Sequence, residues 1–240
     1  MGLIPFKGST MFFSRFTLAF ALLTSLVSLA NAQVTLNFDQ SGGVIDSILI
    51  DQTYGDRVVS SPDSNGHTYD GITPDSSTTP NVEVSYTAVD PNLWTTGYGD
   101  LTNVYYDETD FGDGFSLTLT ADAGFEVGLF GFDAAAFFGD EIAPEVAITD
   151  GNGNVLWSQT NAEIDSTTHT SFDFVDGIFA NSLSIEIDLT GLGASSDNIG
   201  IDNVSFVQQT AAVPEPSSLL IIWITGIGVA SIRRRQILCK

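Results

Sequence analysis

Period-two alternation of apolar and polar residues is the feature that most limits what this 240-residue chain can become. Val82, Val84 and Tyr86 alternate with Glu83, Ser85 and Thr87. Phe115, Leu117, Leu119 and Ala121 alternate with Ser116, Thr118 and Thr120; Leu183, Ile185, Ile187 and Leu189 with Ser184, Glu186 and Asp188. A strand points successive side chains to opposite faces, so such runs bury one face and wet the other. Further strands are predicted at 34–38, 125–132, 145–149, 155–158, 170–174 and 199–207, and Asp150-Gly151-Asn152-Gly153 has the chemistry of a hairpin turn. No stretch of the body shows a capped run of helical period. Many short strands with Gly/Asp turns predict an all-β fold, an antiparallel β-sandwich of jelly-roll type. Residues 60–80, rich in Ser, Thr, Asp, Gly and Pro, are the longest predicted loop.

The ends read differently. Arg15 precedes an apolar run over 16–29 and then Ala30-Asn31-Ala32, the layout of a secretory signal cut after Ala32. Residues 1–10 read as an upstream extension, with Met11 as the start. At the other end Val213-Pro214-Glu215-Pro216 is followed by an apolar run over 219–232 and by Arg233-Arg234-Arg235. The prolines stop any strand or helix from running out of the body. A helix over 219–232 rises roughly 21 Å, short of the ~30 Å hydrocarbon core, and spans it only with help from snorkelling arginines. Those arginines stay cytoplasmic, which leaves the body outside. The domain boundaries expected are therefore 1–32 for the signal, 33–212 for the sandwich and 213–240 for the tail.

This tail closely resembles the PEP-CTERM sorting signal: Pro-Glu-Pro motif, one hydrophobic helix, terminal basic cluster. The resemblance implies cutting near the motif by an exosortase-type transpeptidase, with transient inner-membrane association through 219–232. It also implies export to the periplasm or to the outer surface or extracellular matrix of a Gram-negative-type bacterium. A plain C-terminal anchor is the alternative.

Charge narrows the partners. Of the 30 acidic residues, 29 fall between Asp39 and Asp202, and Arg57 is the one Lys or Arg among them. Such a body repels phosphate backbones, so nucleic acid is excluded as a partner, whereas cations are drawn in. Cys239, the one cysteine, lies in the tail, so the body has no thiol chemistry.

No nucleophile motif such as G-x-S-x-G is present, and His67 and His169 are expected at the surface, outside any catalytic or zinc-binding arrangement. A glycosidase needs two carboxylates held apart, and with so many acids their presence discriminates nothing. Glu83 and Glu186 fall on solvated strand faces. Calcium is the cofactor the oxygen-rich chemistry favours. One place for it is the acidic run over 107–114, which also reads as a plain acidic turn. The other is Asp39, at the end of the first strand, with Asp202, where the apolar phase slips from Ile199/Ile201 to Val204/Phe206 as at a bulge. Trp94 and Tyr98, with Tyr105 and Tyr106, lie in a glycine- and polar-rich segment and are candidates for stacking on sugar rings, against ordinary packing as the plainer alternative. Trp157 is expected in the core.

The body is similar to PEP-CTERM exoproteins that share a β-sandwich ectodomain. The matching stretches are Asn37-Phe38-Asp39, Tyr54-Gly55-Asp56-Arg57-Val58, Gly97-Tyr98-Gly99-Asp100-Leu101 and Ile199-Gly200-Ile201-Asp202-Asn203-Val204. That resemblance implies architecture and address, not an activity. More distantly, an N-terminal strand carboxylate with a late Ile-Asp-Asn-Val strand resembles jelly-roll carbohydrate-binding modules. The expectation is a non-enzymatic exported surface or extracellular-matrix protein with an interaction or binding sandwich. A calcium-stabilised carbohydrate-binding module acting on extracellular polysaccharide is the alternative, and a glycoside hydrolase comes third.

Overall fold

Every predicted strand forms. The computed structural model describes residues 33–38, 47–72 and 78–211. Five strands make one antiparallel sheet in the spatial order β3 (Val82–Thr87), β6 (Gly114–Ala121), β11 (Ser182–Asp188), β8 (Glu141–Asp150), β9 (Val155–Ile164). The alternation read from the sequence appears in β3 as strictly alternating burial, and Glu83 and Glu186 point to water as expected. Small hydroxyls pair across the wet face, Thr118 Oγ1 with Ser184 Oγ at 2.7 Å, as cross-strand neighbours do.

The second sheet runs β10 (Thr170–Ala180), β7 (Phe125–Ala136), β12 (Ile199–Thr210), β5 (Val104–Asp107), β4 (Pro91–Trp94), β2 (Ile48–Leu49). β1 (Val34–Leu36) also pairs with β12, through Val34↔Phe206 and Leu36↔Val204. From β6 onward the chain passes back and forth between the sheets, and neither sheet closes on itself, so the architecture is an antiparallel β-sandwich of jelly-roll type. The inner faces share one apolar core. Leu117, Leu119, Ile148, Leu183 and Ile185 come from the five-stranded sheet, and Leu129, Ile201 and Phe206 from the other, none more than 1% exposed. Each such side chain stabilises by about 1.5–3 kcal/mol relative to its exposed state. Trp157, expected in the core, is only partly buried: it packs on the core's margin on the edge strand β9, against Phe172 and Phe174.

Three strands were not legible. β2 is a two-residue pairing, and β5 is buried at all four residues, so no alternation marks it. β4, with Asn92 and Leu93 both buried, likewise lacks the pattern. Tyr105 turns into the main core against Tyr86 and Phe115, which corrects its expected place among the stacking aromatics. Arg57 lies on the surface, where Nη1 and Nη2 donate to the two carboxylate oxygens of Asp122 (2.7 and 2.9 Å) and Nη2 also to Glu83 (2.7 Å). Among the described residues no helix is long and apolar enough to cross a membrane; the run 219–232 lies outside them.

Candidate functional site

The outer face of the seven-stranded sheet, turned away from the core, gathers several of the residues singled out above: Trp94, Tyr98, Tyr106 and His169. Along β7, Phe132, Ala134 and Ala136 face inward, so Gly131, Asp133 and Ala135 face out. The segment 95–103, between β4 and β5, folds back over this face. Tyr98, Leu101, Val104, Tyr106 and Ala135 are buried there as a second apolar cluster, with Trp94 and Phe137 packed against it. Two glycines permit the close approach. A methyl group on Gly99 would sit 1.7 Å from the Thr168 carbonyl oxygen, and one on Gly97 2.5 Å from the Phe137 ring. Both also have positive φ (54° and 91°), which favours glycine.

Two recesses open on this face. One is a groove of about 440 Å³ lined by Gln33, Asp133, Asn203 and Ser205 together with Phe130 and Phe174. Its polar groups are held in place: Ser171 Oγ and Asn203 Nδ2 donate to the two Asp133 oxygens (2.7 and 2.9 Å), and Ser205 Oγ donates to Gln33 Oε1 (2.7 Å). The other is a pocket of about 210 Å³ lined by Trp94, Tyr98, Tyr106, Phe137, Glu108 and Asp197. Asp133 and Phe137 are four residues apart on one extended segment, which places the recesses about 13 Å apart.

His169 stands between them. Its Nδ1 lies 2.8 Å from Asp100 Oδ1, on the folded-back segment, and its Nε2 3.7 Å from Asp133 Oδ1. The hydrogen bond to Asp100, with the nearby Asp133 and Asp165 carboxylates, raises its pKa against a smaller opposing effect of burial. His169 thus clips the covering segment to the sheet. Asp165 supports the same turn: hydrogen bonds from Thr168 and Thr167 hold its pKa down at about 2.

The expected site residues fare unevenly. Trp94 is half-buried and Tyr98 almost wholly buried, its hydroxyl donating to the Asp197 carbonyl at 2.6 Å. The two rings therefore wall a pocket and do not present a flat platform. Phe137, which sequence reasoning missed, joins Tyr98 through an isolated bridge and a ring contact at 5.2 Å. The bulge expected at Asp202 is present: β12 shifts register on β7 between Asp202 and Ser205, with Asn203 at φ 53°. Asp202 is buried and accepts a hydrogen bond from the Asn203 amide at 2.7 Å. Asp39, the other expected calcium ligand, lies outside the described residues, as do Val213, Pro214, Glu215, Pro216 and Arg233, Arg234, Arg235. Among the described residues no group of three or more His, Cys, Asp or Glu is placed to hold a metal ion.

The acidic run over 107–114 is organised from within. Asp107 is fully buried, and its carboxylate accepts amide hydrogens from Val89 (3.2 Å), Asp90 (3.0 Å) and Thr109 (3.1 Å). His67 corrects the surface expectation. It is buried at the edge of the core, its ring 5.2 Å from that of Tyr54, with Asp63 Oδ2 3.3 Å from Nδ1 and Asp51 Oδ2 3.5 Å from Nε2. The acidic neighbours that suggested a solvated loop are the groups that make its burial possible.

No protein-family model and no curated protein matches this chain. Among solved structures, the chain is similar to a CBM4 structure at 15% identity and a TM-score of 0.33, over 53% of this chain and 87% of that one. It is also similar to the Stig cyclase Fisc from Fischerella sp. TAU, solved with (3Z)-3-(1-methyl-2-pyrrolidinylidene)-3H-indole, at 17% identity and a TM-score of 0.37, over 75% and 100%. A third similarity is to the enzymatically active domain of bacteriophage CBA120 tailspike protein 4, at 17% identity and a TM-score of 0.26, over 54% of this chain and 19% of that one.

Proposed function

We propose that this chain is an exported, non-catalytic surface or extracellular-matrix protein whose sandwich binds polysaccharide along the outer face of the seven-stranded sheet. The observation that carries the binding half is the groove itself. Amide, carboxylate and hydroxyl groups of Gln33, Asp133, Asn203 and Ser205 lie beside the rings of Phe130 and Phe174. Sugars present the complementary pair of surfaces, hydroxyls at the rim and C–H groups on the ring faces. Both oxygens of Asp133 already accept hydrogen bonds, which suits a fixed acceptor better than a general acid. The export half rests on the signal-like residues 1–32 and on the tail, with Pro214-Glu215-Pro216 as the cutting motif and Arg233–Arg235 held back in the cytoplasm.

One experiment addresses each half. Protein recovered from the native cell surface has an intact mass lacking both 1–32 and the residues beyond the Pro-Glu-Pro motif; Arg233–Arg235 still attached would favour a plain anchor. That protein, applied to immobilised neutral extracellular polysaccharides, is retained without shortening the polymer. Asn203→Ala and Phe174→Ala each weaken retention at least tenfold, with the circular dichroism unchanged. Polymer cleavage, or retention indifferent to both substitutions, would overturn the reading.

A further inference from the structure

The smaller pocket carries a chemistry the groove does not. Four rings close a circuit around it. Trp94 meets Tyr106 at 6.3 Å and 84°, and Tyr106 meets Tyr98 at 5.8 Å; Tyr98 meets Phe137 at 5.2 Å, and Phe137 returns to Trp94 at 5.8 Å and 77°. The space they share, about 210 Å³, is below the usual range of roughly 300–1,000 Å³ for drug-sized ligands. It suits one head group or one small ring.

Its remaining walls are Glu108 and Asp197. Burial raises the pKa of Asp197, and the nearby Asp110, Glu108 and Glu141 carboxylates add to that effect. Among the described residues no Lys or Arg answers them: Arg57, the one such residue there, is engaged with Asp122 and Glu83. Ring faces and carboxylates agree in sign, because an aromatic face carries the negative side of its quadrupole. A neutral ligand would use half of this arrangement and an anion none of it.

Two further observations concern the mouth and the wall. Phe138 is 86% exposed at φ 60°, and Phe111 is 73% exposed at φ 62°. The Phe111 amide donates to the Gly193 carbonyl and that of Phe137 to the Asn198 carbonyl, so the two phenylalanines flank the 3-10 turn Gly193–Asn198 that bears Asp197. A bulky side chain at positive φ is an outlier, and here two of them hold apolar rings in water, Phe138 against the pocket residue Phe137 and Phe111 at the Gly193 end of the turn. Within the wall, Trp94 Nε1 and Asp197 Oδ1 are buried without a hydrogen-bond partner. Such atoms are rare in folded proteins and call for an explanation.

We propose that this pocket binds an organic ammonium ion, protonated or quaternary, with its carbons against the Trp94, Tyr106 and Phe137 rings and its charge facing Glu108 and Asp197. The site does not depend on the groove's reading. The ammonium can belong to an amino-sugar unit of a polymer or to a free small amine; the two share one recognition chemistry.

The test uses the mature, surface-recovered protein and ligand-observed NMR at constant ionic strength. Glucosamine or choline gives saturable binding in the millimolar range or tighter, while glucose and N-acetylglucosamine at equal concentration do not. Trp94→Ala weakens the binding at least tenfold. Glu108→Gln, which keeps the shape and removes a charge, weakens it at least fivefold and guards against Trp94→Ala failing to fold. Asn203→Ala, in the groove, leaves it unchanged. Tighter binding of a glucosamine oligomer than of the monomer identifies the polymer as the source, and preference for choline identifies a free amine. Equal binding of neutral sugars, absence of saturable amine binding, or amine binding unmoved by Glu108→Gln overturns the proposal.

Discussion

The two sheets of the sandwich are made from similar residues to opposite specifications. In the five-stranded sheet the ladders from β3 through β6 and β11 to β8 run without a register shift, its one shift falling at the edge pair of β8 with β9, and β3 alternates buried and exposed at every step. In the seven-stranded sheet β12 shifts twice on β7, β10 shifts once, and β5 is buried throughout. The first is a wall with one wet face. The second is irregular where its outer face is covered or recessed, because each shift re-aims side chains that a regular pleat would fix. Regularity here marks scaffold, and its loss marks the face that carries groove and pocket.

The sharpest way to break this comparison uses one carboxylate from each sheet. Asp107→Ala, in the irregular sheet, removes a buried carboxylate and leaves three partly buried amide hydrogens without their acceptor, and should cost on the order of 3 kcal/mol. That corresponds to a fall in melting temperature of about 10 °C. Unchanged melting would mean that the Asp107 carboxylate is not a keystone of its sheet. Next in size, Gly99→Ala drives a methyl group into the Thr168 carbonyl and should cost about 1–3 kcal/mol. Amide exchange should quicken over 95–103 while β6 and β11 keep their protection; uniform loosening of both sheets would erase the distinction between them.

The His169 clip gives a smaller effect, with a defined sign. Its folded pKa is raised above the ordinary 6.5, chiefly by the bond to Asp100. The stabilisation is thus complete below about pH 6.5 and is lost as pH rises through the folded value. Because both partners are partly exposed, it should stay below about 1 kcal/mol. Melting followed between pH 6 and 8 should show this decline in the wild type and not in His169→Gln. The smallest effect belongs to the regular sheet. Glu186→Ala removes an exposed side chain that accepts one hydrogen bond, from Thr149 Oγ1 at 2.6 Å, and should move stability by no more than about 0.5 kcal/mol.

The same contrast explains what could be read beforehand. β3, β6 and β11 were legible because one face of each meets water and the other meets the core, which prints a period of two onto the sequence. β5 was not, since Tyr106 and Val104 are covered by the folded-back segment while Tyr105 fills the core, and a strand buried on both faces has no polar phase to betray it. The bulge at Asp202 was visible as a slip in that period. Phe137 was invisible because Ala134-Ala135-Ala136-Phe137-Phe138 is apolar at every position. Tyr98 misled for a related reason: Gly97 and Gly99 read as turn residues, whereas their lack of side chains is what lets the tyrosine lie down on the sheet.

Pairing of the first strand with the last also has a mechanical consequence. Val34 lies opposite Phe206, so the chain enters and leaves the sandwich toward one pole, while the aromatic pocket lies at the other end of β12, beside Ile199 and roughly 23 Å along the strand from Phe206. A tether on either terminus therefore holds the molecule by the same handle and turns the pocket outward, away from whatever holds it. Tension applied through residue 211 runs along β12, parallel to the strand axis, and loads its ladders with β7, β5 and β1 in shear. Their hydrogen bonds must then give way together rather than one after another, the geometry in which a short stack of strands resists pulling best.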